Sequence, residues 1–166
     1  MKGPHSEEKA FRLSPALDFL REIWRLNHAV ERLSKKMEAS YGITAQQRMI
    51  VRLVGKYPGI TAGQLAEQLH LDPGTISAAI RRLKGKGLLS RRPDMRDKRR
   101  VVLGLTASGR TLDRPATGTV EWVVESIINK SSSEDIEATA DTLGRLVAAI
   151  EAELERLENQ EECGCL

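Results

Sequence analysis

At 166 residues, with 40% hydrophobic and 30% charged side chains, the chain has the size of one domain with a real core, or of one such domain with an appended interface. Aromatic residues make up only 4%, which argues against base-stacking platforms for single strands. The net charge of +3 averages two opposed regions: Arg81 to Arg100 holds ten Lys/Arg against Asp94 and Asp97, a local +8, and Ser131 to Leu166 holds ten Asp/Glu against Arg145 and Arg156, a local −8. That asymmetry points to a nucleic-acid surface on one part of the chain only.

Residues 1 to about 12 are polar, and MKGPHSEEKA lacks the apolar core of a signal peptide. No apolar run approaches a membrane span, so no membrane partner and a cytoplasmic location are expected. From Leu13 to Met37, Leu13, Leu17, Leu20, Ile23, Leu26, Val30, Leu33 and Met37 recur in steps of three and four, predicting a long amphipathic helix that Gly42 ends. Thr44 with Gln47 fits a capping box opening a second helix, whose buried side is expected to include Met49, Ile50, Leu53 and Val54. Pro58-Gly59 is a turn.

Thr61 with Gln64 is a second capping box, opening a short helix through Leu69. Asp72 then reads as an N-cap with Pro73 at the first helical position. That helix runs to about Lys86, with Gly87 as its stop. Two short helices at this spacing suit a helix-turn-helix. Leu88 to Thr106 (LLSRRPDMRDKRRVVLGLT) follows as a strand, a basic tip and the returning strand Val101 to Leu105. It reads as a wing. Thr106 caps a further helix, which Pro115 is expected to interrupt and kink. Val120, Val123, Val124, Ile127 and Ile128 form one apolar face, and Ser131 to Ser133 is a connection. The last helix carries Ile136, Leu143, Leu146, Val147, Ile150, Leu154 and Leu157, and the steps from Leu143 through Val147, Ile150 and Leu154 to Leu157 alternate four and three, as in a coiled-coil seam.

The expected fold is mainly α with a small β-wing, a winged helix-turn-helix plus a helical dimerisation region. Its divisions are an N-terminal arm and first helix (1–40), the winged lobe (41–106), C-terminal helices (107–160) and a Cys-containing tail (161–166). The terminal stripes exceed what the small lobe can cover, so a symmetric homodimer is expected through Leu13, Leu17, Leu20, Ile127, Leu143, Val147, Ile150 and Leu154.

In the helix from Pro73, Ile76, Ala79, Ile80 and Leu83 share one face for burial, and Gly74, Thr75, Ser77, Ala78, Arg81 and Arg82 the other. Small residues let a backbone enter the major groove of double-stranded DNA, and Thr75, Ser77 and Arg81 carry groups that reach base edges. Arg82, Lys84 and the helix start at Thr61 suit phosphates. For Arg81 a structural ion pair with a wing Asp, and for Thr75 a simple helix-start role, stand as the plainer alternatives. At the tip, Arg96, with Lys98 and Arg99 beside it, suits the narrow minor groove. Asp94 and Asp97 are expected to pin neighbouring arginines and hold the tip's shape.

Three features resemble the MarR family of bacterial transcription regulators over roughly residues 13 to 158. They are Thr61 to Leu69 with Leu71-Asp72-Pro73, Arg82-Leu83 through Gly87-Leu88-Leu89, and Asp94-Met95-Arg96-Asp97-Lys98-Arg99 followed by Leu105-Thr106. The resemblance implies an obligate homodimer, pseudo-palindromic operators, and repression relieved by a small ligand or an oxidised cysteine. It also implies a pocket for a phenolic or other aromatic anion near the first, second and fifth helices, with Trp24, His28, Met49, Leu53 and Trp122 as possible lining beside the plainer reading of core packing. Gly74 and Ala78 depart from the bulkier or polar residues of the family, and Pro115 from its usual path toward the interface.

Cys163 and Cys165 form the one sensor-like motif, suited to a soft metal or a disulfide across a dimer, or else a frayed inert tail. Glu161 and Glu162 beside them disfavour thiolate. His5, His28 and His70 are too scattered for a zinc site, and no cofactor is expected. No Ser-His-Asp, Cys-His or P-loop arrangement is present, so an enzyme is not expected. The remaining alternatives are a protein-assembly module without ligand response and a thiol- or metal-responsive regulator.

Overall fold

The computed structural model describes residues 13–95 and 97–163, with side chains through Gln160. Its elements are α1 (Pro15–Tyr41), α2 (Ala45–Lys56), α3 (Ala62–Leu69), α4 (Pro73–Gly85), β1 (Leu89–Pro93), β2 (Val101–Leu105), α5 (Ala107–Leu112), α6 (Val120–Ile128) and α7 (Ser133–Cys163). The mainly helical fold with one small antiparallel sheet is the one expected. The chain divides after Val120 into two compact units, described separately.

In the first unit the caps follow local chemistry. Ser14 accepts from the Leu17 amide to start α1, and Gly42 ends it at φ 72, a left-handed turn that needs no Cβ clearance. Thr61 and Gln64 satisfy each other's backbone reciprocally at the start of α3. Asp72 and Pro73 open α4 as expected. At Thr44 only half of the expected box forms. Its hydroxyl accepts from the Gln47 amide at 3.2 Å, while the Gln47 side chain is buried and its Oε1 lacks a hydrogen-bond partner.

The core gathers Ile43 from the α1–α2 connection with Ile50, Val51, Val54, Leu65, Ile76, Ile80, Leu83, Leu89 and Leu103 from α2, α3, α4 and the sheet. Met49 is not part of it. At roughly 100° per residue, Gln47, Ile50, Val51 and Val54 share one arc of α2, and Met49 falls on the opposite side, 47% exposed.

β1 and β2 pair from Leu89–Leu105 to Pro93–Val101. The hairpin is tied to the lobe at its base: the Leu103 amide donates to the Ile60 carbonyl at 2.9 Å, and the Thr106 amide to the Leu88 carbonyl at 3.1 Å. The Thr106 hydroxyl donates to the Gly87 carbonyl and also accepts from the Gly109 amide, so one side chain joins the end of α4 to the start of α5.

Pro115 lies outside any helix. α5 ends at Leu112 with Asp113 as its cap, so Pro115 sits in the connection before α6 and kinks nothing. α2 holds that connection in place. The Arg48 guanidinium, 1% exposed, donates to the Leu112 and Arg114 carbonyls, and Arg52 pairs with Asp113 at 2.9 Å. The Tyr41 hydroxyl donates to the Thr117 carbonyl at 2.8 Å.

In the second unit Ser132 caps α7 by accepting from the Asp135 amide at 3.1 Å. Along α7, Leu143, Val147, Ile150, Leu154 and Leu157 are 38–53% exposed, and on α6 Val123, Val124, Ile127 and Ile128 are exposed too. Among the described residues, no helix is long and apolar enough to cross a membrane.

Candidate nucleic-acid interface

α4 separates two populations of side chains. Ile76, Ala79, Ile80 and Leu83 are buried and fix the helix against the lobe. The face turned outward carries Gly74, Ala78, Arg81 and Gly85, because positions spaced by three and four residues line up. Thr75, Ser77 and Ala78 are half-buried, while Arg81, Arg82 and Lys84 are exposed. The first turn is therefore slim and the last cationic.

Asp72 organises that first turn. Its carboxylate accepts from the Thr75 amide at 2.8 Å and from the Thr75 hydroxyl. These bonds hold the Asp72 carboxyl below the usual aspartate range. Thr75 thus takes part in the helix start, and its hydroxyl is not idle.

Thr61, at the start of α3, has its hydroxyl engaged with Gln64. Lys86 follows α4 and donates from Nζ to the Gly42 carbonyl, tying the end of α4 to the end of α1. The sequence reading missed this tie, because nothing local relates residues 44 positions apart.

At the wing tip the Asp94 amide donates to the Arg100 carbonyl and the Arg100 amide to the Asp97 carbonyl, each at 2.9 Å. The Asp97 carboxylate accepts from the Arg99 backbone amide at 3.0 Å. Among the described residues, the Asp97 carboxylate engages the tip through a backbone amide, as in an Asx-type turn. Lys98 and Arg99 are exposed at this tip. Arg96 lies outside the described residues.

The residues suggested for a ligand are partly brought together. Met49 and Leu53 line a cavity of about 360 Å³ with Arg52, Gly55, Lys56 and Asp113. Trp24 and His28 are exposed on α1, and Trp122 is exposed on α6 in the second unit. Cys163 ends α7; its side chain and Cys165 lie outside the described residues. Arg48 escaped the sequence reading, although its place beside the Gln47–Ile50–Val51–Val54 arc was the available signal.

The sequence profile of the MarR family matches residues 43–101, from the start of the lobe to the returning strand of the wing. The organic hydroperoxide resistance transcriptional regulator of Bacillus subtilis (strain 168) is 28% identical over 108 residues, 65% of this chain and 72% of that protein. The transcriptional regulator HosA of Escherichia coli O157:H7 is 30% identical over 95 residues, 57% of this chain and 70% of that protein. Among solved structures, Streptococcus pneumoniae FabT in complex with DNA is similar at a TM-score of 0.60 and 26% identity, covering 82% of this chain and 96% of that one. The S. aureus MepR–DNA complex shares the fold at a TM-score of 0.65 and 24% identity, over 80% and 94% of the two chains. The capped α3–α4 pair, the tied basic hairpin and these relatives lead to one assignment: the chain belongs to the MarR family, whose members are transcriptional regulators and not enzymes.

Proposed function

We propose that the protein is a homodimeric, sequence-specific DNA-binding regulator, a repressor of the cytoplasm released from a pseudo-palindromic operator by a small, often aromatic ligand. The observation that carries the DNA reading is the single lobe that joins α4, slim at its start and cationic at its end, to a hairpin with Lys98 and Arg99 at its tip. On this reading α4 lies in the major groove, with Thr75, Ser77 and Arg81 toward base edges around Gly74 and Ala78. Arg82, Lys84 and the α3 start at Thr61 meet phosphates, and Arg96, Lys98 and Arg99 meet the minor groove. The exposed apolar faces of α6 and α7 support a second copy as partner. Two lobes then address half-sites about one helical turn apart. The cavity beside Met49 and Leu53 supports a small ligand with an apolar body; Lys56 adds a cation to its wall, where Arg52 is already paired with Asp113.

The test is selection of bound fragments from genomic DNA, followed by titration of the recovered site. A palindrome is expected, with an affinity that falls steeply with salt as counterions are released. Arg82→Ala or Lys98→Ala should each reduce the log–log salt slope by about 1. Arg96→Ala should cost roughly 1–3 kcal/mol if it reads the minor groove. No retention at low salt would sink the DNA reading in favour of an assembly module.

A second reading has one observation in its favour: a relative is named for organic hydroperoxide resistance, and this chain has two thiols, Cys163 and Cys165. Loss of operator binding on hydroperoxide treatment, abolished by serine at both positions, would support a thiol response. An unchanged response would exclude it.

A further inference from the structure

The N-terminal half of α4 offers DNA very little polar side-chain chemistry. Pro73 has no amide proton, Gly74 has no side chain, and Ala78 presents only a methyl group. Ser77 and Thr75 flank the outward line from opposite sides, and of the two Thr75 has its hydrogen bonding fixed. Both its amide and its hydroxyl reach the Asp72 carboxylate, one oxygen each. An ionised carboxylate only accepts hydrogen bonds. The bonds from Thr75 keep Asp72 ionised well below neutral pH. The single hydroxyl proton of Thr75 is therefore committed to Asp72, and what the hydroxyl can show to a ligand is lone pairs.

In the major groove that polarity discriminates. Adenine N6 and cytosine N4 are the only donors among the base edges, while guanine O6 and N7 and thymine O4 accept. An oxygen with no proton to give is attracted to an amino base and repelled by a keto base. We propose that Thr75, polarised by Asp72, selects adenine or cytosine over guanine or thymine on the strand it faces. The inference rests on α4 being the groove helix of the proposed function. It adds a specificity determinant in which Asp72 acts as a positioning residue and Thr75 makes the contact.

The test is selection from random duplex DNA with the unaltered protein and with Thr75→Ser, Thr75→Val and Asp72→Asn. The unaltered protein and Thr75→Ser should enrich sites in which one position of each half-site is confined to A or C, by about 3–10-fold, the range of one hydrogen bond. Thr75→Val should lose that restriction while the other positions persist. Asp72→Asn keeps a capping oxygen but brings its own N–H donors, freeing the Thr75 proton, so G and T should become tolerated at the same position. The proposal is overturned if Thr75→Val relaxes no position, if the position it relaxes holds G or T in the unaltered protein's sites, or if Asp72→Asn leaves the restriction intact. Enrichment of no site by the unaltered protein would overturn the DNA reading itself, and this inference with it. Retained helicity by circular dichroism distinguishes a changed contact from a collapsed helix.

Discussion

Arg48 on α2 donates from Nη1 to the Leu112 carbonyl at 2.7 Å, across 64 residues of sequence. Its second nitrogen donates to the Arg114 carbonyl at 2.8 Å. The ring of Tyr41 lies 5.8 Å from the same guanidinium. Leu112 is the last residue of α5, whose final carbonyls have no partner within the helix, so Arg48 serves as a tertiary cap. Replacing it with Met fills much of the volume but leaves both carbonyls without their charged donor. Hydrogen bonds to charged groups are worth about 1.5–3 kcal/mol each, and not all of that is lost in a relaxed site. Arg48→Met should therefore lower unfolding stability by roughly 2–4 kcal/mol in urea titrations. An unchanged midpoint would mean that the connection after α5 does not depend on this cap.

Gly109 makes a close backbone approach at this seam. A Cβ placed there would stand 2.1 Å from the Leu88 carbonyl oxygen. The obstacle is backbone, and Leu88 is held by the Thr106 amide, so no rotamer change relieves it. Gly109→Ala should shift α5 away from the base of the wing and cost about 1–3 kcal/mol, as overpacking does. Thermal unfolding measures the loss. Wild-type stability in this variant would show that α5 can slide without consequence.

These contacts mark where local sequence rules stop. Thr61 with Gln64, and Asp72 with Pro73, specify their helix starts through bonds spanning three residues, and those starts stand as read. The buried face of α4 likewise follows from the spacing of Ile76, Ala79, Ile80 and Leu83. The end of α5 does not. It depends on Gly109 meeting Leu88 and on Arg48 reaching Leu112 and Arg114, partners that no local window contains. Pro115, read alone, suggests a kink because a proline in a helix would cause one; the helix has already ended. Met49 shows a different limit. An apolar residue was assigned to the core by type, while the arc of α2 placed Arg48 nearer to it. At the candidate interface the cationic positions were legible from charge, but the commitment of the Thr75 hydroxyl to Asp72 depends on the side-chain rotamers of both residues, which residue type alone does not set.

Asp72 predicts a pH dependence. Its carboxyl is held low first by the Thr75 hydroxyl and then by the Thr75 amide. Because the folded value lies below the unfolded one, ionised Asp72 favours the fold fully above the unfolded value, near about pH 4. The contribution is lost as pH falls through the folded value. Glu22, bonded to Arg25, and Glu153, bonded to Arg156, are shifted in the same direction and add to the acid loss. Asp72→Asn isolates one share. Its denaturation midpoint should fall less steeply than that of the unaltered protein below pH 4, with parallel curves from pH 5 to 8. Parallel curves throughout would show that the cap contributes nothing through its charge.

Substitution in the apolar stripe on α7 should act on association rather than on the lobe. Ile150 and Leu154 are 53% and 52% exposed in the single chain, four residues apart on one face. If two copies pack this face together, each substitution removes two side chains from one twofold interface. Covering a side chain of this size is worth about 1.5–3 kcal/mol. The remaining half of each surface supports at least half of that, so Ile150→Asp should weaken association by about 1.5–3 kcal/mol per dimer, and the buried charge adds to the loss. Dimer dissociation should then rise by at least 10-fold. Sedimentation at micromolar concentration should show monomer for Ile150→Asp and Leu154→Asp, with helicity retained in the lobe. Operator affinity should fall with the dimer, because two half-sites bound by separate lobes lose the gain of linked binding. A variant that remains dimeric and binds DNA normally would place the association surface elsewhere on the chain.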